Sequence, residues 1–154
     1  MFKVLIVEDD VHKLDSLTVF IGTHLSNSEI TLAKSLQEAI NIINQKSFDL
    51  VLVDMAIPSH PIVQGEGSPI SLLNGGLEVI LELSSLERSD DCIVITQFHE
   101  IEICSNNYAI KSAKKNINEL LEFDVLDCIL YDESENLWQS QLLKSLSIYE
   151  NFNS

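Results

Sequence analysis

Lys3-Val4-Leu5-Ile6-Val7-Glu8-Asp9-Asp10 is an apolar run that ends in three carboxylates, and Leu50-Val51-Leu52-Val53-Asp54 repeats the arrangement with one. Runs of four or five aliphatic residues are too short for helices and read as strands buried on both faces of a parallel sheet. Parallel strands end on the same edge, where open α/β sheets place their ligands. The acidic side chains of the two stretches would then converge on one crevice. Like charges ~4–6 Å apart raise one another's pKa unless a cation or a proton intervenes. The simplest use of such a crevice is a divalent-metal site.

Outward from these two stretches, apolar runs and helical periods alternate. Strands are expected at 2–8, 28–34, 48–54, 91–96 and 126–131, with helices at about 10–25, 35–46, 70–87, 100–122 and 134–150. Ser35-x-x-Glu38 has the form of a capping box, followed by Ala39, Ile40, Ile42 and Ile43 as an apolar face. Asp132-x-x-Glu135 has the same form, with Leu142, Leu143, Leu146 and Tyr149 as the later stripe. Asp10 reads as a helix N-cap or a solvated face. Five β-then-α units imply a mostly parallel, doubly wound sheet covered on both faces, a three-layer α/β sandwich.

The 154 residues read as one domain, 1–154, with 45% apolar content, enough for an ordinary core. Net charge is −15, from 24 acidic and 9 basic residues. That argues against nucleic-acid binding, which needs a basic face, and against an anionic membrane surface. No stretch has the length of a signal peptide or membrane span, so a cytoplasmic location is expected. Cys92, Cys104 and Cys128 show no C-x-x-C spacing and read as buried free thiols. Two segments exceed ordinary loop lengths. One, about 58–76, carries Pro58-Ser-His-Pro-Ile-Val-Gln-Gly-Glu-Gly-Ser-Pro69 and has the character of a lid or a surface insertion. The other, about 97–125, is expected to hold a short helix near 99–109 and a longer one near 111–122.

On these residues the chain resembles the receiver domain of two-component response regulators. Glu8-Asp9 resembles the family's acidic pair after the first strand, and Asp54, in Asp54-Met55-Ala56-Ile57-Pro58, resembles the phospho-acceptor after the third. Gly76 resembles the glycine that opens the third helix, and Thr96 the hydroxyl residue that ends the fourth strand. The resemblance implies a flavodoxin-like (βα)5 fold. It also implies Mg2+ held by Glu8, Asp9, Asp54 and the backbone carbonyl of Ala56, with Asp54 as nucleophile and Thr96 contacting the phosphoryl group. A hard cation suits such oxygen ligands, and it offsets the charge brought by a phosphoryl group. The implied partners are a histidine kinase or phosphotransfer protein and a downstream effector on a separate chain; a homodimer is also open to it.

The family's strand-five lysine is missing. Aligning Asp127-Cys128-Ile129-Leu130-Tyr131-Asp132 on that strand puts Tyr131 at the lysine and Asp132 at the following proline. Tyrosine donates a hydrogen bond but brings no positive charge. The loss of a charge-assisted contact is worth about 1.5–3 kcal/mol. Lys111, Lys114 and Lys115 read mainly as a solvated helix face, with a minor reading as substitute cations. His60 and His99 read mainly as surface or loop histidines, with a minor reading as metal ligands or proton relays at the crevice, whereas His12 and His24 belong to the first helix. Trp138 and Tyr149 read mainly as core, with an exposed partner face as the alternative. The expected function is a signalling module without turnover, phosphorylated on Asp54; the alternative is a degenerate receiver that binds partners independently of phosphorylation. Haloacid-dehalogenase-type phosphatases need an aspartate where Ala56 stands, and a flavodoxin's phosphate loop is incompatible with Glu8-Asp9-Asp10.

Overall fold

The computed structural model describes residues 1–60, 71–72 and 74–154. In chain order the elements are β1 (Phe2–Val7), α1 (Val11–His24), β2 (Ser28–Ala33), α2 (Leu36–Gln45), β3 (Leu50–Val53), β4 (Ile57–Pro58), β5 (Ser71–Leu72), α3 (Gly75–Ser85), β6 (Asp91–Thr96), β7 (Glu100–Ile103), β8 (Asn106–Ala109), α4 (Ile110–Leu121), β9 (Asp127–Leu130) and α5 (Leu137–Leu146). Five strands form one parallel sheet in the order β2-β1-β3-β6-β9. This is the doubly wound flavodoxin-like order, and it places a topological switch between β1 and β3.

Strand side chains alternate between two cores. Val4, Ile6, Leu50, Leu52, Ile93 and Ile95 face Leu14, Leu17 and Ile21 of α1 and Trp138, Leu142 and Leu146 of α5. Leu5, Val7, Val51, Val53, Cys92 and Val94 face Ala39 and Ile43 of α2, Val79, Ile80 and Leu83 of α3, and Ala113 and Ile117 of α4. The expected three-layer sandwich is thus present. Because both sheet faces are covered, the apolar runs are continuous rather than alternating with polar residues.

Capping fixes where the helices begin. Asp10 accepts the Lys13 N–H at 3.0 Å at the head of α1, and Ser35 Oγ accepts the Glu38 N–H at 3.1 Å at the head of α2. Asp132 behaves otherwise than expected. Its Oδ1 accepts from the N–H and hydroxyl of Ser134, a local turn, and α5 starts only at Leu137.

The short helix expected near 99–109 is instead a β-hairpin. β7 and β8 pair antiparallel, Glu100↔Ala109 through Ile103↔Asn106. Glu-Ile-Glu-Ile alternates with period two, so Ile101 and Ile103 enter the core while Glu100 and Glu102 face out. The turn residues Cys104 and Ser105 both have positive φ, 51° and 68°. Cys104 is therefore exposed at the turn, contrary to the buried reading, while Cys92 is buried and Cys128 half-buried. The third helix also begins later than expected, at Gly75, since Ser71–Leu72 pairs antiparallel with Ile57–Pro58. The lid reading for 58–76 falls mostly on 61–70, outside the described residues.

Candidate functional site

β1 and β3 end side by side, with Val7 opposite Val53. The next residue of each is therefore placed at the carboxyl edge: Glu8 on one strand, Asp54 on the other. The Asp54 N–H donates to Val7 O at 3.1 Å, and the Glu8 N–H donates to Ala33 O at 3.0 Å. Both carboxylates are 1% exposed, whereas Asp9 is exposed. Carboxylate oxygens of Glu8, Asp9 and Asp54 can be chosen that all lie within 4.8 Å of one another. Gly76 holds the acceptor turn from behind: its N–H donates to Met55 O at 2.9 Å. A Cβ at Gly76 would overlap the Asp54 carbonyl oxygen and lie 2.9 Å from Met55 Cα.

Among the described residues, Glu8 Oε2 and both side-chain oxygens of Asp54 are buried and accept no hydrogen bond. What faces them is an ammonium that the sequence reading passed over. Lys13 Nζ lies 2.9 Å from Glu8 Oε2 and 3.3 Å from Asp54 Oδ2. It also donates to Ile95 O at 2.8 Å and to Gln97 Oε1 at 3.1 Å. At 2% exposure it is a buried lysine, a residue type that is rarely buried unless paired. The signal was present in the helix period. Lys13 stands four residues before Leu17 and eight before Ile21, on the stripe that α1 buries.

Electrostatics follow from this crowding. Burial pushes the Glu8 carboxyl up to about 8; the Lys13 charge opposes that rise and the Asp54 charge adds to it. Burial also raises the Asp9 carboxyl, helped by the charges of Asp54 and Asp10 and opposed by its own backbone N–H and Lys13. Three carboxyl groups against one ammonium leave the cluster rich in oxygen donors and short of positive charge. An all-oxygen donor set whose buried oxygens share a single ammonium fits a hard divalent cation.

The other candidates separate around this centre. Thr96 is fully buried at the end of β6; its Oγ1 accepts the Phe98 N–H at 3.4 Å and its carbonyl accepts the Tyr131 N–H at 2.7 Å. Ala56 is half-buried in the turn between β3 and β4. Tyr131, just past β9, is 7% exposed and packs on Trp138 with ring centroids 4.9 Å apart. Lys13 Nζ sits over the Tyr131 ring, 5.3 Å from its centroid. A cleft of about 390 Å³ opens above, lined in part by Asp10, Lys13, Gln97, His99, Tyr131 and Asp132. Lys111, Lys114 and Lys115 are exposed on α4, which bears out the solvated-face reading. Neither His60 nor His99 joins the carboxylate cluster. Trp138 is core, as expected; Tyr149 is half-buried, its hydroxyl donating to Asp91 Oδ2 at 2.7 Å.

Comparison with known proteins places this geometry. The chain is 29% identical over 149 residues to the Detocs response regulatory protein DtcB of Vibrio alginolyticus, covering 93% of this chain and 98% of that protein. It is 25% identical over 152 residues to the protein of the same name from Enterobacter cloacae, covering 94% and 98%. The fold is shared with the response regulatory domain of mrkE from Klebsiella pneumoniae, at TM-score 0.62 and 21% identity, covering 96% of this chain and 93% of that one. It is shared also with the response regulator TrrA from Thermotoga maritima, solved with Mg(2+)-BeF, at TM-score 0.58 and 17% identity, covering 94% and 99%. The family model for the response regulator receiver domain matches residues 4–118, a span that takes in Glu8, Asp9, Lys13, Asp54, Gly76 and Thr96. The chain belongs to the response regulator receiver domain family of two-component signalling.

Proposed function

We propose that this chain is a receiver that accepts a phosphoryl group on Asp54 from a histidine kinase or phosphotransfer protein and passes the signal to an effector on another chain. The observation that carries the reading is the state of Asp54: 1% exposed, at a strand end, with both carboxylate oxygens accepting no hydrogen bond among the described residues. A buried carboxylate met by a single long ion-pair contact, here Lys13 Nζ at 3.3 Å, is costly to keep and marks a group reserved for a ligand or a reaction. Glu8, Asp9, Asp54 and the carbonyl of Ala56 would hold Mg2+, which supplies charge neutralisation between donor and acceptor oxygens. Asp54 forms the new P–O bond as the donor's P–N bond breaks, and the imidazole leaves with the electron pair. Thr96 then offers its hydroxyl to a phosphoryl oxygen. The Vibrio and Enterobacter relatives are described as response regulatory proteins, which agrees with a signalling role. A net charge of −15 disfavours nucleic acid as the partner, and no described helix is long and apolar enough to cross a membrane; a cytoplasmic site of action accords with both.

Incubating the protein with Mg2+ and acetyl phosphate and weighing it intact tests the reading. One phosphoryl adduct is expected, absent in Asp54→Asn and after chelation of the metal. The second reading, a receiver whose output ignores phosphorylation, draws on the Lys13–Asp54 ion pair, which already partners the acceptor. It requires that wild type take no adduct and that Asp54→Asn leave partner binding unchanged.

A further inference from the structure

We infer that Lys13 is the phosphoryl-binding cation of this receiver, supplied by the first helix in place of the lysine that the end of β9 lacks. The inference rests on the acceptor role proposed for Asp54. Lys13 reaches from the first turn of α1 to one cluster of oxygens: Glu8 Oε2, Asp54 Oδ2, Ile95 O and Gln97 Oε1. An ammonium has three protons to share among these four acceptors. The Asp54 contact, at 3.3 Å, is the longest of them and the one most easily exchanged. A phosphoryl group on Asp54 would present oxygens beside the same ammonium, which need only trade a carboxylate oxygen for a phosphoryl one.

Two features fix Lys13 in that role. Its backbone N–H is the one capped by Asp10, so the carboxylate-bearing turn after β1 and the lysine form one local unit. Its ammonium lies over the ring of Tyr131, which is braced in turn by Trp138. An aromatic face attracts a cation, whereas a second ammonium at Tyr131 would repel Lys13. The tyrosine at the expected lysine position thus complements a cation that has moved across the pocket. With acetyl phosphate as donor, an Asp54 oxygen bonds to phosphorus, the P–O bond to acetate breaks, and acetate leaves with the electron pair. Lys13 keeps its protons throughout and balances charge on the phosphoryl oxygens.

The test uses the full chain, with Mg2+ binding read separately from phosphoryl chemistry. Mg2+ alone is titrated by the fluorescence of Trp138, the chain's one tryptophan; beryllofluoride affinity is followed by amide NMR and acetyl phosphate adducts by intact mass. Lys13→Gln is expected to bind Mg2+ at least as tightly as wild type, while its adduct rate and beryllofluoride affinity fall about tenfold or more. Lys13→Arg should lie between the two. Adding Tyr131→Lys to Lys13→Gln should restore most of the loss, which a merely structural lysine would not allow. Where Lys13→Gln does not fold, Lys13→Met, with its similar stem, takes its place. An adduct formed by the variant at the wild-type rate or faster would make Lys13 a plug on Asp54 and overturn the inference alone. A wild type that takes no adduct overturns the inference together with the acceptor reading.

Discussion

Glu8 is the residue at which protonation and metal binding meet. Its ordinary pKa of 4.5 is pushed up to about 8 by burial, with Lys13 opposing and Asp54 assisting. The folded pocket therefore holds a proton that the unfolded chain has already released. A raised folded pKa contributes stability that is fully present below about pH 4.5 and is lost as pH rises through about 8. In metal-free buffer the urea midpoint should therefore fall from pH 5 to pH 8, and Glu8→Gln should flatten that slope; an unchanged slope in the variant would refute the assignment. Because a cation must displace this proton, the apparent Mg2+ dissociation constant should fall over the same window. Glu8, Asp9 and Asp54 were legible because each follows a buried run by one or two residues. Lys13 was not, because charged residues in helices are usually solvated and only its position on the stripe of Leu17 and Ile21 marks it as buried.

Elements act here mainly as positioning devices. α3 begins against the acceptor turn, and Gly76 permits that approach because it carries no Cβ. Gly76→Ala should push α3 away from Asp54 and Met55, costing about 1–3 kcal/mol of stability by overpacking and slowing adduct formation on Asp54. Urea unfolding and intact mass measure the two effects, and a variant equal to wild type in both would show that the turn adapts freely. The five central strands were readable from sequence to within one or two residues: β1, β3 and β6 because continuous aliphatic runs have few other uses, and the edge strands β2 and β9 from shorter, more polar runs in the alternating order. The β7–β8 hairpin was not. Its turn is built from Cys104 and Ser105 at positive φ, where Asn and Gly are the usual signals, so the alternation in Glu100–Ile103 passed for the start of a helix. Arg88 shows a different kind of positioning. It ties Ile43 O and Lys46 O at the end of α2 to Asp90 at the start of β6. Burial alone would raise the Asp90 carboxyl, but Arg88 and the Phe48 N–H outweigh it and hold it below its ordinary value.

At the scale of the whole molecule, charge and topology pull in different directions. The sheet order brings acidic strand ends together at one edge, and the net charge of −15 surrounds them with further repulsion. Exposed charges repel over ~30 Å at 0.01 M salt but over only ~8 Å at 0.15 M. Raising sodium chloride across that range should therefore raise the melting temperature by about 2–4 °C, as a gain of ~1 kcal/mol would do for a chain of this size. A melting temperature that fell or stayed constant in a calorimeter would show that exposed local pairs such as Lys46–Glu29, which salt also screens, outweigh the general field.

The hairpin has a practical chemical consequence. Of three thiols, Cys92 is buried and its thiol is held well above its ordinary pKa by desolvation, while burial pushes Cys128 up to about 12. Cys104 alone projects into solvent, at the tip of an element that packs Ile101 and Ile103 into the core beside α4. Since the thiolate is the nucleophile in alkylation, the unmodified sequence carries one addressable sulfur. A fluorophore or spin label attached there would report on the hairpin without any cysteine having to be introduced or removed.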